Sequence, residues 1–211
     1  MGEMPTMKRA LLICAAATAA LSLAACGKKS DGSTDANPGQ SAPVNAAQDA
    51  ASTAVGATSA ATVGANDTDA FVSNAGQSDM YEIQAGQMAE QKAASPQVKA
   101  FGKMMVTDHT AMMNEMKPLV TAAGKTPPAD LDQRRKGLLD NLKAATGADF
   151  DKEYLKQQES AHQEALTLMQ GYADHGSDAG LKAGAQKAIP KIQAHLDKVK
   201  QLQAAGDAAK K

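Results

Sequence analysis

From Asp69 onward the chain carries long stretches in which apolar residues return every three or four positions, and this periodicity restricts it to packed helices. Five such stretches can be read. The first carries Phe71, Ala75, Ser78, Glu82, Ala85 and Ala89 on one stripe, with Asp69 as the expected cap. Ser95-Pro96 starts the second, a capping Ser followed by Pro at the first helical position. That helix carries Val98, Phe101, Met105, Met112, Met116 and Leu119, and Gly124, Pro127 and Pro128 end it. A short helix follows over roughly residues 131–145. Two long ones then cover about 151–172 and 178–202, with Pro190 set to bend the last or free a carbonyl. β-branched residues are sparse along these stripes, which argues against strands. Four long amphipathic helices predict an all-α, ferritin-like four-helix bundle, with the short segment as an extra crossover helix.

Residues before Asp69 obey other rules. Lys8 and Arg9 precede an apolar run over residues 10–25, in the manner of an export signal. At about 16 residues the run falls short of the roughly 17–25 needed to span a bilayer. It ends in Leu23-Ala24-Ala25-Cys26-Gly27, which resembles the lipobox of bacterial lipoproteins: an apolar residue, two small ones, then Cys. The expected division is a signal peptide over 1–25, a lipidated Cys26 with a flexible linker over 26–68, a helical domain over 69–206 and a tail over 207–211. The linker is expected from its Gly, Ala, Ser, Thr and Asn content and its lack of large apolar residues. Cys14 would leave with the signal, so the processed chain would hold one Cys and no disulfide. The membrane is therefore the first expected partner, through the lipid. Gly27 differs from the Asp that resembles an inner-membrane retention signal, which favours the periplasmic side of the outer membrane.

Charge narrows the other partners. The chain has 22 basic and 23 acidic residues, a net of -1, and no Trp. Neither a polyanion-binding surface nor base-stacking platforms are indicated, so nucleic acid is not an expected partner. An envelope protein remains a candidate.

The informative residues are those that interrupt the apolar stripes. Glu82, Asp108, His109, His162 and His195 all fall at or beside inward positions, with Tyr154 on the same face as His162. Two readings follow. One is a buried hydrogen-bond network of Glu82, Asp108, His109, Tyr154, His162 and His195, each imidazole donating at one nitrogen and accepting at the other. The other is a mononuclear Zn, Cu or Fe site drawn from Glu82, His109, Glu159, His162 and His195. Glu159 enters because Glu159-Ser160-Ala161-His162 places a carboxylate and an imidazole on one helical face. A dinuclear carboxylate centre would want that spacing on two helices. Here Ile192 and Val106 stand three before His195 and His109, so such a centre is not expected. Met104, Met105, Met112, Met113 and Met116 crowd one helix, which suits either core filling or Cu(I). His175 lies in a turn and should face solvent. No catalytic residue is indicated: Ser160 and His162 are two apart on a helix and do not face each other.

The order of Glu82, the segment from Val98 to His109, Phe150-Asp151-Lys152-Glu153-Tyr154, Ala161-His162 and Pro190 to Leu196 resembles the bacterial domain of unknown function 4142. The resemblance implies a ferritin-like helical bundle, often exported and tethered, and no particular reaction or cofactor. The leading expectation is a non-enzymatic binding or envelope-stress module on a lipid anchor; the alternative is a metal-binding protein.

Overall fold

Local hydrogen bonds mark where each helix begins and ends. The computed structural model describes residues 42–208, and these form six α-helices. They are α1 (Ala42–Thr62), α2 (Thr68–Lys92), α3 (Pro96–Ala122), α4 (Gln133–Ala144), α5 (Gly147–His175) and α6 (Ala179–Ala208). Asp67 caps α2 by accepting from the Ala70 N–H at 2.8 Å, and Asp132 caps α4 through the Arg135 N–H at 2.7 Å. The cap expected at Asp69 thus lies two residues earlier, and Asp69 sits in the first turn beside the helix's positive end. Ser95-Pro96 opens α3 as expected. The helix closes on Gly124 at φ 68°, where the Gly124 N–H reaches the Thr121 carbonyl and the Lys125 N–H reaches that of Val120. This pair of bonds requires a left-handed residue, which Gly adopts without a Cβ penalty. α6 runs through Pro190 and α3 through Pro118, both on exposed positions. Among the described residues no strand occurs and no helix is long and apolar enough to cross a membrane.

α2 packs on α3 and α5, and α6 packs on α5 and α3, so the four long helices close a ring. Gly86 and Gly102 let α2 and α3 approach closely. A Cβ on either residue would stand 2.7 Å from the other's carbonyl oxygen. α3 and α5 begin at the same end, where the Asp151 carboxylate accepts from the Ala94 and Ser95 N–H groups. At the other end the start of α2 meets the end of α5: Phe71 stacks on Tyr172 with ring centroids 3.8 Å apart. α3 and α5 therefore run parallel, and α4 lies on the connection that returns the chain between them.

The reading of 26–68 as a flexible linker does not hold over its second half. Residues 42–62 form α1, which packs on α5. Small side chains achieve this. Ala60 and Ala65 are buried, and Gly64 lies against Leu168 so closely that a Cβ would stand 2.4 Å from it. Ala-rich sequence favours helix, and close approach replaces bulky side chains as the source of buried area. The signal peptide, Cys26 and the first part of the linker lie outside the described residues.

The bundle interior is two apolar clusters stacked along its axis. One gathers Phe71, Val72, Leu168, Met169, Tyr172, Leu181 and Ile192. The other gathers Tyr81, Phe101, Met105, Leu142, Phe150, Tyr154 and Val199. Each fully buried large apolar residue contributes about 1.5–3 kcal/mol. Between the clusters lies a layer of buried polar side chains.

Candidate metal centre

Three of the four long helices bring a histidine to that layer. His109 of α3 follows Met105 by one turn, His162 of α5 precedes Met169 by two, and His195 of α6 precedes Val199 by one. All three are at most 2 % exposed. Their ring centroids are separated by 5.4, 5.4 and 5.6 Å. One nitrogen from each ring lies within 4.8 Å of the others, so these histidines can hold a metal ion.

Each ring is fixed through one of its nitrogens. His109 Nδ1 is 2.8 Å from Asp79 Oδ1, His162 Nδ1 is 2.8 Å from the Gln158 carbonyl, and His195 Nε2 is 2.9 Å from Asp108 Oδ2. These partners are oxygen acceptors, so each ring donates there and, when neutral, leaves a lone pair on its other nitrogen. The other nitrogens, His109 Nε2, His162 Nε2 and His195 Nδ1, are buried with no protein hydrogen-bond partner. A self-contained polar network would pair them, because a buried polar atom left unpaired costs about 1–3 kcal/mol. A ligating histidine has the observed form: one N–H held by a carboxylate or carbonyl, the other nitrogen free to bind.

Electrostatics favour a cation at this level. Burial pushes the Glu82 carboxyl up to about 7, and one of its oxygens lies 3.8 Å from His162 Nδ1. Burial also raises the Asp79 carboxyl, against the pull of its His109 partner. Burial lowers His109, but the Asp79 hydrogen bond and the charges of Glu82, Asp79 and Asp108 outweigh it, and its pKa is raised above the ordinary value. Burial holds His162 well below the ordinary histidine value and brings His195 down to about 4. Two of the three rings are therefore neutral near pH 7, the state in which imidazole binds metal.

The structure separates the sequence-derived candidates. His109, His162 and His195 converge, and Glu82 stands against His162. Asp108 is half-buried and bonds both His195 and Lys191. Tyr154 packs between Phe101 and Phe150 in the neighbouring apolar cluster, its hydroxyl unpartnered. Glu159 is not brought to the layer: it bonds Gln163 and Gln203 on the flank of α5. His175 is exposed. Asp79 joins the layer without being marked by the stripe read from Phe71, Ala75 and Ser78, although it follows Ala75 by four and precedes Glu82 by three. The stripe turns inward at Asp79 rather than Ser78, which is only half-buried.

The profile of a domain of unknown function, DUF4142, matches residues 51–202, most of the chain. The chain belongs to the DUF4142 family. The match starts inside α1, so this DUF4142 domain extends further toward the N-terminus than the stripe beginning at Phe71 implies. No curated protein matches the sequence. A solved structure, CopM in an Ag-bound form obtained by co-crystallization, is similar in fold. It has 24 % sequence identity and a TM-score of 0.54, covering 65 % of this chain and 95 % of that one.

Proposed function

We propose that this DUF4142 chain is an exported, lipid-anchored bundle that holds one transition-metal ion between His109, His162 and His195. The observation that carries the reading is the set of three buried ring nitrogens without a protein partner, one nitrogen of each ring lying within 4.8 Å of the others. Imidazole suits Zn, Cu and Fe, and the buried acids Asp79 and Glu82 offset the charge of such an ion. The role is to bind rather than to turn over a substrate. CopM, similar in fold, was solved with silver, which agrees with a metal-handling role but carries less weight than the nitrogens. The helix order, with α3 and α5 parallel and α4 between them, supports a ferritin-like arrangement without the second Glu-x-x-His of dinuclear centres.

The anchor rests on the basic start, the apolar run and the Leu23-Ala24-Ala25-Cys26 box. A thioether-linked lipid there would hold the domain at the periplasmic face of the outer membrane. Replacing Cys26→Ser should release the protein from the membrane fraction.

Metal titration of the purified protein followed by thermal unfolding tests the function. An ion that binds only the folded chain raises its stability, by about 2.7 kcal/mol at a hundredfold excess over Kd. The shift should vanish in a His109→Ala/His162→Ala/His195→Ala variant. The absence of a shift with Zn, Cu and Fe alike would refute the proposal.

A further inference from the structure

Two of the five methionines that crowd α3 line a groove near the histidine layer. Met112 and Met116 follow His109 by one and two turns, and Met169 follows His162 by two. With Gly184 and Ala188 of α6 they line a groove of about 360 Å³ that opens between α3 and α6. Asp79 also lines it, although Asp79 belongs to α2. A groove between α3 and α6 that touches an α2 side chain reaches the bundle interior. The side chain it touches is the carboxylate that orients His109. At the rim, Lys187 is paired with Glu115 at 2.9 Å and Lys191 with Asp108 at 3.0 Å, so neither lysine confronts an incoming cation with an uncompensated charge.

We infer that this groove is the access route of the metal centre, and that its thioethers select Cu(I) on the way to the three histidines. Thioether sulfur is a soft ligand suited to Cu(I); being neutral, unlike a thiolate, it is a poor donor to the harder Zn(II). Met112 and Met116 are only half-buried, so their sulfurs serve a groove and not just a closed core. Gly184 leaves the space: a Cβ there would stand 3.2 Å from Met116 Sδ and 2.7 Å from Leu119. The inference rests on the proposed histidine site, and it adds the identity of the ion and its path.

The test is stopped-flow transfer of Cu(I), and separately of Zn(II), from a chromophoric chelator to the full chain. Cys14→Ser and Cys26→Ser are included so that thiols do not compete. Replacing Met112, Met116 and Met169 by Leu conserves volume and should leave the fold intact. Cu(I) transfer should slow by about an order of magnitude while Zn(II) transfer is unchanged. Should the triple variant melt early, Met116→Leu alone should show the same selective slowing to a smaller degree. Equal slowing of both ions, or no change in either, would overturn the inference. The histidine triple variant separates the two claims. If it loses both metals while the Met variants load as wild type, the centre stands and the route falls. If it still loads as wild type, the centre itself is wrong.

Discussion

Two polar clusters stand out in this molecule, one part-buried against α4 and one buried between the long helices, and they are completed in different ways. Near α4, Arg134 forms a two-pronged bond with Glu164 at 2.7 and 3.0 Å, and Arg135 bonds Asp132 at 2.6 Å and Glu164 at 3.1 Å. Arg134 also bonds the Ser52 carbonyl of α1, so this cluster ties α1, α4 and α5 together. Each cation there faces a carboxylate. In the histidine layer every ring has one partner and one bare nitrogen. Charges that satisfy one another hold a fold in register; groups that satisfy one another only in part, and face inward together, are arranged for something else. The first cluster is paired within itself, whereas the second is a buried set of three histidines able to hold a metal ion.

The largest expected effect strikes the structural cluster. Glu164→Ala leaves Arg134 without a carboxylate and Arg135 with Asp132 alone, and should cost about 3–5 kcal/mol, measured by urea unfolding. A loss below about 1 kcal/mol would put this network on the same footing as a surface pair. Next is Asp79→Asn, which removes the charge that orients His109. It should weaken metal binding about 10–100-fold by competition titration. Unchanged affinity would separate Asp79 from the centre.

The third prediction concerns pH in the metal-free protein. His195 is held at about 4 by burial, below its ordinary 6.5, so on acidification the unfolded chain takes up that proton first. Stability therefore falls between pH 6.5 and about 4. Glu82 is held at about 7, above its ordinary 4.5, so the folded chain takes up its proton first and stability rises as pH falls through that range. The two offset each other where they overlap. Glu82→Gln removes the offset, and its urea midpoint should drop more steeply from pH 6.5 to 4.5 than that of the wild type. Parallel profiles would contradict the assignment. The smallest effect sharpens the comparison most: His162→Phe should abolish metal binding yet change metal-free stability by only about 1 kcal/mol, because it removes a bare nitrogen along with one hydrogen bond.

Much of this was legible in the sequence. Helical periodicity puts His109, His162, His195 and Glu82 on inward faces, and turn chemistry places the start of α3 and its end at Gly124. What was not legible has physical causes. Asp79 is adjacent to Ser78, and one residue of helical phase, about 100°, decides which of them points inward. Glu159 shares a face with His162 by spacing, but spacing cannot say whether that side chain turns to the core or to Gln203. α1 escapes because the buried positions described in it, Gly56 and Ala60, give no hydrophobic stripe. The pairing state of the ring nitrogens depends on three chain segments meeting, and no local pattern records it.

The central claim is that three particular nitrogens meet at one ion. Anomalous diffraction from crystals grown with Cu or Zn tests it directly. The account predicts one peak per chain, about 2.0–2.1 Å from His109 Nε2, His162 Nε2 and His195 Nδ1. A saturated crystal whose peaks lie only at exposed groups such as His175, with nothing between the three rings, would contradict it.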